Sequence, residues 1–423
     1  MINSLTQERE LAYLVYVDEV LPMDADRLEC ARVGGWNCVV GKGDFKKGDI
    51  GVYFEIDSKL PEVAPFSEME FLKSKHYAIK SQKIRKVVSQ GLLMPVSAFG
   101  WTIDSAQFCG GAEFVVDEKG NQHFVEDESR FLTTLLGVTY NRTEDQIRKS
   151  KPGKGAKFLS AMARHPKFAK SRIGRWLAKR AWGRKLIETF LYSKKAQGAR
   201  DWPVGRFPGV SKTDQERCEN MTWILNDKTP FIRTQKCDGS SGTYILERKK
   251  RGYEFYVCSR NVRFQSKDDE SYYGAHNYYW EVAEKYDIEA KMRDYLEKNP
   301  DITFVCWQGE VCAPAIQSNP HGLTETHFYC FHMTDSKTGR FDVREAAKIW
   351  KSYGMEVVPI DEELYVLPDD FEEFKATADG TYDPVVCEGK KGLAREGYVY
   401  YKSTDPTFSF KNVSRKYLLK RGE

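Results

Sequence analysis

The 423 residues are enough for two globular units, and 41% hydrophobic and 13% aromatic residues support packed cores rather than general disorder. No segment approaches the roughly 20 apolar residues of a membrane-spanning helix, and the N-terminus lacks the basic and apolar stretches of a secretion signal. The ten cysteines form no Cys-x-x-Cys pair, so neither a disulfide framework nor a zinc site is predicted. We therefore expect an intracellular, cytoplasmic protein (in the host cytoplasm if viral) without a membrane partner.

The net charge of +4 hides a strongly basic segment. Between Gln146 and Arg200 there are 17 Lys or Arg residues and a single acid, Glu188. Its second half, from about Ile173 to Leu191, carries apolar residues near one face of a predicted helix. Such a segment favours contact with the phosphates of a nucleic acid; a solvated basic linker is the alternative.

The first hundred residues have the pattern of a β domain. Ile50, Val52, Phe54 and Ile56 alternate with other residues, which predicts a half-buried strand. Further strands are predicted over residues 11–17, 36–40 and 79–88. Short strands at this spacing favour a small OB-like β-barrel over residues 1–110. A linker with the basic, partly helical insertion is expected over 111–205, and a second domain over 206–423.

The second domain is predicted to be α+β. The capping box Thr213-Asp214-Gln215-Glu216 predicts a helix that runs towards Trp223. Two more helices are predicted from Tyr278 to Leu296 and from Asp342 to Gly354. Strands are predicted around five aromatic residues: Phe231, Tyr244, Tyr256, Phe304 and Tyr329.

The chemistry of this domain is indicated by Lys236-Cys237-Asp238-Gly239, which follows an apolar strand. Alone, Lys-x-Asp-Gly is a weak signal that also fits a surface turn. However, Arg260, Glu310 and Glu396 follow Lys236 by 24, 74 and 160 residues. They stand in a series of further motifs: Ser259-Arg260-Asn261, Trp307-Gln308-Gly309-Glu310, Phe328-Tyr329-Cys330-Phe331, Glu396-Gly397-Tyr398-Val399 and Phe410-Lys411-Asn412-Val413-Ser414. The ordered series resembles motifs I, Ia, III, IIIa, IV and V of the covalent nucleotidyltransferases, which include RNA ligases, DNA ligases and mRNA capping enzymes.

The resemblance implies a role for each motif. Lys236 would attack the α-phosphorus of ATP to form a lysyl-AMP, for which the amine must lose its proton. Asp238, Glu310 and Glu396 would hold Mg2+ or Mn2+, largely through water, or bond the ribose. Arg260 would contact phosphate or ribose, and Lys411 would neutralise the α-phosphate. The adenine would stack between Phe331 and Val399, although core packing is the alternative for both side chains.

The N-terminal half indicates the branch of the superfamily. It resembles RNA ligases that carry an OB domain ahead of the catalytic domain, through the following segments: Gly34-Gly35-Trp36-Asn37-Cys38-Val39-Val40, Lys47-Gly48-Asp49, Asp57-Ser58-Lys59-Leu60-Pro61 and Ser89-Gln90-Gly91-Leu92. Only 12 residues follow Lys411, which does not fit the C-terminal OB domain of DNA ligases and capping enzymes. The resemblance implies a monomeric, ATP-dependent RNA ligase for RNA repair, which joins the 3′-OH and 5′-phosphate ends of nicked or single-stranded RNA. The alternatives are a DNA-sealing ligase and an inactive protein that binds RNA ends.

The sequence departs from the family pattern at two motif positions. Ser409 stands where motif V commonly has its first lysine, so we expect either that Lys402, Arg415 or Lys416 compensates or that the enzyme is slower at one step. His332 stands where an acidic residue often follows motif IIIa.

Overall fold

The computed structural model describes residues 1–3, 8–101, 114–116, 122–124, 130–140, 171, 177, 180, 205–271, 273–274 and 276–422. Apart from Ser171, Leu177 and Arg180, the basic segment 146–200 and its predicted helix lie outside these residues. Within the described ranges, no helix has the length and apolarity that crossing a membrane requires.

Among the residues that the structure describes, the N-terminal half has short antiparallel strands and a short helix, α1 (Glu70–Lys73). The strands are β1 (Ala12–Tyr16), β2 (Glu19–Pro22), β3 (Leu28–Val33), β4 (Trp36–Gly41), β5 (Ile50–Phe54), β6 (Ser58–Lys59), β7 (Gln82–Ile84), β8 (Val87–Ser89), β9 (Leu92–Pro95), β10 (Phe114–Val116), β11 (Gln122–Phe124) and β12 (Thr139–Tyr140). They form the sheets β1-β5-β9 and β2-β3-β4 and the pairs β7-β8, β10-β11 and β6-β12.

Two details of the predicted strands are wrong. The strand at Ile50 is buried on both faces rather than half-buried, because its two faces pack in different cores: Val52 and Phe54 in one, and Tyr53 in the other. Residues 79–88 form the hairpin β7-β8 rather than one strand. Positive φ angles of 47° at Arg85 and 76° at Lys86 reverse the chain there.

The C-terminal half contains two sheets. The first has the order β13-β23-β22-β14, and the second has the order β17-β16-β15-β18-β19-β20, with β21 also paired to β19. The strands are β13 (Glu216–Arg217), β14 (Phe231–Lys236), β15 (Ser240–Arg248), β16 (Tyr253–Ser259), β17 (Arg263–Phe264), β18 (Phe304–Cys312), β19 (His327–Asp335), β20 (Gly339–Arg340), β21 (Glu356–Val357), β22 (Gly397–Lys402) and β23 (Asp405–Val413). The helices are α2 (Tyr278–Lys285), α3 (Ile288–Lys298), α4 (Val343–Ser352), α5 (Phe371–Ala376) and α6 (Arg415–Arg421). The predicted α+β class and the five predicted strands of this half are confirmed.

The predicted helix from Thr213 towards Trp223 is wrong. Glu216 and Arg217 form β13, which pairs in parallel with β23, and two short 3-10 helices follow, Cys218–Asn220 and Thr222–Asn226. The side chains of the proposed capping box bond elsewhere: Thr213 Oγ1 donates to Ser241 Oγ at 2.5 Å, and Glu216 accepts from the amide of Ile2 at 2.6 Å. Hydrogen bonds to residues distant in the sequence therefore outweigh the helix-forming tendency of this segment.

The other two predicted helices are present, although the first is interrupted and the ends of both differ from the predicted ones. The first is split into α2 and α3, because Asp287 takes a positive φ of 49° between them. The second is α4, whose N-cap Asp342 accepts hydrogen bonds from the amides of Arg344 and Glu345. Gly354 follows its end with a φ of 67°.

The N-terminal half packs directly against the end of the chain. Val413 of β23 and Leu418 of α6 belong to the same core as Trp36. The amide of Gly35 also donates to the carbonyl of Glu219 at 2.7 Å. The two halves therefore share a core as well as main-chain hydrogen bonds.

Candidate active site

Lys236 lies where the two C-terminal sheets are connected. It is the last residue of β14 in the four-stranded sheet, and Ser240 begins β15 in the other sheet. The link between them, Lys236-Cys237-Asp238-Gly239, passes close to β18. A Cβ atom at Gly239 would lie 2.5 Å from the carbonyl oxygen of Val311, so only glycine fits. The motif therefore places Lys236 in the cleft between the sheets.

The ammonium group of Lys236 faces carboxylates from both sheets. Its Nζ atom donates to Glu396 Oε2 at 2.9 Å, and Glu396 stands immediately before β22. Glu310 of β18 approaches from the opposite sheet. Burial disfavours the charged amine, but Glu396 and Glu310 outweigh burial, and the pKa of Lys236 is raised above its usual value. Without a ligand, Lys236 is therefore held protonated.

Glu310 lies in a crowded electrostatic environment. Its Oε1 atom accepts a hydrogen bond of 3.1 Å from the amide of Gly239. Burial raises the pKa of Glu310 to about 8; the ammonium of Lys236 opposes this rise, and the nearby Glu396 and Asp238 carboxylates add to it. A cation placed beside Glu310 would oppose the effect of burial and favour the charged form of this carboxyl group.

A cavity beside Lys236 brings together four of the predicted site residues. Phe331 of β19 and Val399 of β22 come from different sheets, and Lys236 and Glu310 lie at the same cavity. Its complete lining is Thr213, Gln215, Thr234, Gln235, Lys236, Cys237, Glu310, Phe331, Val358, Val399 and Tyr401. A flat ring in this cavity would contact apolar side chains from both sheets and have polar groups at its edge.

Lys411 and Arg260 are the cationic groups predicted near this cavity. Lys411 pairs in register with Val399 across β22 and β23. Burial and the positive charge of Arg217 lower the pKa of Lys411 to about 8, with Asp214 opposing. No ion pair joins Lys411 to a carboxylate in the described ranges. Arg260, in contrast, forms an ion pair with Asp214. An anion next to Lys411 would favour its charged form.

Asp238 faces the C-terminal helix. Its Oδ2 atom accepts a hydrogen bond of 2.6 Å from the hydroxyl of Tyr417 and lies 3.5 Å from the guanidinium of Arg421. The amide of Asp238 donates to Nε2 of the buried His321 at 3.2 Å. In the described part of the chain, no three His, Cys, Asp or Glu side chains are grouped so that they could hold a metal ion directly.

The sequence did not reveal the residues that hold Asp238 in place. Ser414 caps α6, since its side chain accepts from the amide of Tyr417. A serine before a charged and apolar stretch was a usable signal for this helix. The contact of Tyr417 with Asp238, which lies 179 residues earlier in the chain, depends on the tertiary fold and could not be predicted from the local sequence.

The three residues expected to compensate for Ser409 are engaged with carboxylates. Lys402 pairs with Asp227 at 2.6 Å, and Lys416 pairs with Asp379 at 2.8 Å. Arg415 pairs with Glu372, with one contact at 3.1 Å. The expectation that one of them supplies a free cation at the site is therefore not supported. Ser409 and His332, the two departures from the motifs, line a second cavity.

Two family models match separate parts of the chain. An OB-fold domain matches residues 11–96, and an RNA ligase domain matches residues 229–418. No curated protein matches the chain in sequence. The matched ranges contain strands β1 to β9 and the complete motif series from Lys236 to Lys411.

The fold resembles that of solved RNA ligase structures over nearly the whole chain. The Naegleria gruberi RNA ligase with pyrophosphate is 24% identical, has a TM-score of 0.67, and the match covers 98% of this chain and 99% of that chain. Two variants of that enzyme, with AMP and Mn and with ATP and Mn, are 24% and 25% identical, with TM-scores of 0.65 and 0.66. Each of these matches covers 97% of this chain and 99% of the other.

Proposed function

We propose a function from the premise that this chain belongs to the RNA ligase family, with an OB-fold domain ahead of the ligase domain. The protein is an ATP-dependent RNA ligase that joins a 3′-OH end to a 5′-phosphate end, in the repair of broken RNA. The observation that carries this proposal is the position of Lys236 at a cavity between the two sheets, next to Glu310, Phe331 and Val399.

The first step is attack by Nζ of Lys236 on the α-phosphorus of ATP. A bond forms between nitrogen and phosphorus, the bond to the β-phosphate oxygen breaks, and pyrophosphate leaves. Adenine occupies the cavity between Phe331 and Val399. Lys411 neutralises the negative charge that develops on the α-phosphate oxygens, and Arg260 contacts phosphate or ribose. The cavity lining supports the position of adenine, and the lowered pKa of Lys411, which has no carboxylate in an ion pair with it among the described residues, supports a role beside an anion.

Lys236 must lose a proton before it can attack, yet Glu396 and Glu310 raise its pKa. These carboxylates are also the residues that would hold Mg2+ or Mn2+ through coordinated water, together with Asp238. Carboxyl groups from both sheets meet at Lys236, which fits a divalent cation held between them. A cation held there would supply positive charge that offsets the carboxylates and favours the neutral amine. The Mn in the similar solved structures accords with this assignment.

Two further transfers complete the reaction. The 5′-phosphate of one RNA end attacks the lysyl-AMP, which releases Lys236 and forms an RNA-adenylate. The 3′-OH of the other end then attacks the 5′-phosphate of this intermediate, a phosphodiester bond forms, and AMP leaves. Both ends must therefore come close to the cleft that contains Lys236.

Incubation with ATP labelled at its α-phosphate, a divalent cation and two RNA ends tests this proposal. We expect a labelled protein that gives up its label on addition of 5′-phosphorylated RNA, followed by sealed RNA. A matched nick with DNA on its 3′-OH side should be sealed poorly, and equal sealing would favour a DNA-sealing ligase. Absence of any labelled protein, with RNA binding retained, would indicate a protein that only binds RNA ends.

A further inference from the structure

A second cavity, here called the groove, lies beside the cavity of Lys236. Its volume is about 1260 Å³, and His332, Arg340, Ser409 and Trp223 are among its lining residues. Small-molecule sites usually measure roughly 300–1,000 Å³, so the groove is large enough for part of a polymer. The two cavities are neighbours, because the ring of Tyr401, which lines the first, lies 5.5 Å from the ring of His332.

His332 is a buried polar side chain without a protein partner. It is 6% exposed, and neither ring nitrogen has a hydrogen-bond partner. A neutral imidazole has one N–H donor and one acceptor nitrogen, and leaving both unsatisfied in the interior is costly. Since His332 lines the groove, a polar ligand that enters beside the ring could supply a partner for one of these nitrogens.

Arg340 brings an uncompensated positive charge to the same groove. Its Nε atom donates to Thr334 Oγ1 at 3.2 Å, and one terminal nitrogen donates to the carbonyl of Gly209 at 3.5 Å. Both partners are neutral, and no carboxylate in the described ranges forms an ion pair with Arg340. Burial lowers the pKa of Arg340 from its usual value. Guanidinium groups bind phosphate through paired N–H donors.

An exposed aromatic ring completes the lining of the groove. Trp223 is 54% exposed, and its ring lies 6.2 Å from that of Phe408, which lines the groove as well. A large apolar ring open to solvent at a cationic groove is the arrangement on which nucleic-acid bases stack. The groove therefore offers contacts for phosphate, sugar and base.

From these contacts we propose that the groove binds one strand of the RNA substrate. A backbone phosphate contacts Arg340, a sugar or phosphate oxygen bonds His332, and a base stacks on Trp223. This inference rests on the proposed ligase function and specifies where its RNA lies. The triphosphate of ATP is a weaker candidate, because Lys411 lies close enough to Lys236 for their charges to interact and can supply a cation there.

RNA binding by the full-length protein tests the proposal, with a fluorescent 5′-phosphorylated oligoribonucleotide as the probe. Arg340→Ala should weaken binding roughly ten-fold or more and lower the log–log salt slope by about 0.7, the value expected for one lost phosphate contact on a single strand. Arg340→Lys should retain most of the salt slope, because the charge remains. Trp223→Ala should weaken binding roughly five-fold or more, with little effect on folding, because the ring is exposed.

Two matched variants control for unspecific effects. Arg251 is exposed at the turn between β15 and β16, so Arg251→Ala removes a positive charge far from the groove. Phe71→Ala removes a comparably exposed aromatic ring from α1. RNA affinities of Arg340→Ala and Trp223→Ala equal to those of these controls would overturn the proposal. A higher ATP requirement for adduct formation in Arg340→Ala, with RNA binding intact, would also overturn it and assign the groove to ATP phosphates. Because the titration needs no turnover, it remains valid if the ligase function itself is disproved.

Discussion

The Nζ atom of Lys236 lies 2.9 Å from Oε2 of Glu396, and the two side chains are only 22% and 14% exposed. This ion pair joins the end of one strand of the four-stranded sheet to the start of its neighbour. It orients the amine in the cleft, and it also keeps the amine charged. The proposed nucleophile is therefore held in its charged, unreactive form until its surroundings change.

The first prediction concerns this lysine. Lys236→Ala and Lys236→Arg should both abolish the protein–AMP adduct, because alanine has no nucleophile and a guanidinium stays protonated. Both variants should still seal RNA that is already adenylylated at its 5′ end. Labelled ATP and gel electrophoresis measure the adduct. Lys298→Ala, which removes an exposed lysine on α3, is the control and should behave as the wild type. An adduct of normal yield in either Lys236 variant would show that another residue carries AMP.

The second prediction concerns the carboxylates around the amine. Glu310→Gln and Glu396→Gln should each slow adduct formation by a factor of about 10² or more, and EDTA should stop it in the wild type. The amides keep the shape of the side chains but remove the negative charge that holds a cation. The exposed Glu297→Gln on α3 is the matched control. Adduct formation by the wild type that continues in EDTA would exclude this role for the carboxylates. Rates for Glu310→Gln and Glu396→Gln equal to that of Glu297→Gln would exclude it as well.

The third prediction concerns the contact between Asp238 and Tyr417. Tyr417→Phe removes a hydrogen bond of 2.6 Å to the Asp238 carboxylate and leaves the ring in its core position. A hydrogen bond to a charged group contributes about 1.5–3 kcal/mol, so a roughly ten-fold slower adduct formation is expected. Tyr353→Phe is the control, because its hydroxyl makes an equivalent bond of 2.8 Å to Asp294 on α3. Equal rates for the two variants would mean that Tyr417 does not position Asp238.

How far the sequence predicts the site depends on the separation of the interacting residues. The strands at Phe231 and Tyr329 and the cap at Asp342 follow from local patterns, and the structure has them. The helix predicted from Thr213 fails, because Glu216 bonds the amide of Ile2, more than 200 residues earlier in the chain. Long-range partners of this kind leave no local pattern to read.

The electrostatics of the site were equally hard to foresee. A reactive lysine needs a lowered pKa, yet Glu396 and Glu310 raise that of Lys236. The motifs place these carboxylates in the correct order along the chain, but the order does not give the 2.9 Å contact that holds the proton. Similarly, Arg340 belongs to no motif, and only the fold brings it to the groove with Ser409 and His332.

The last prediction concerns the buried ion pair between Lys375 and Glu219, whose side chains are 2% and 0% exposed and 2.7 Å apart. Lys375→Met leaves the carboxylate buried without this cation, so the free energy of unfolding should fall by about 3–5 kcal/mol. Lys298→Met, which breaks an exposed pair with Asp294, should cost about 1 kcal/mol or less. Urea unfolding followed by fluorescence measures both. Similar losses in the two variants would contradict a stabilising role for the buried pair.

The pH dependence of unfolding gives a second test of the same pair. Burial opposes ionisation of Glu219, but Lys375 and Arg217 outweigh it, and the pKa of Glu219 is lowered. A carboxyl group with a lowered pKa contributes its full stability above its unfolded pKa of about 4.3, and this contribution is lost as the pH falls through the lowered value. The stability difference between wild type and Glu219→Gln should therefore be constant near neutral pH and shrink below about pH 4. A difference that stays the same down to the acid transition would show that Glu219 contributes by packing rather than by its charge.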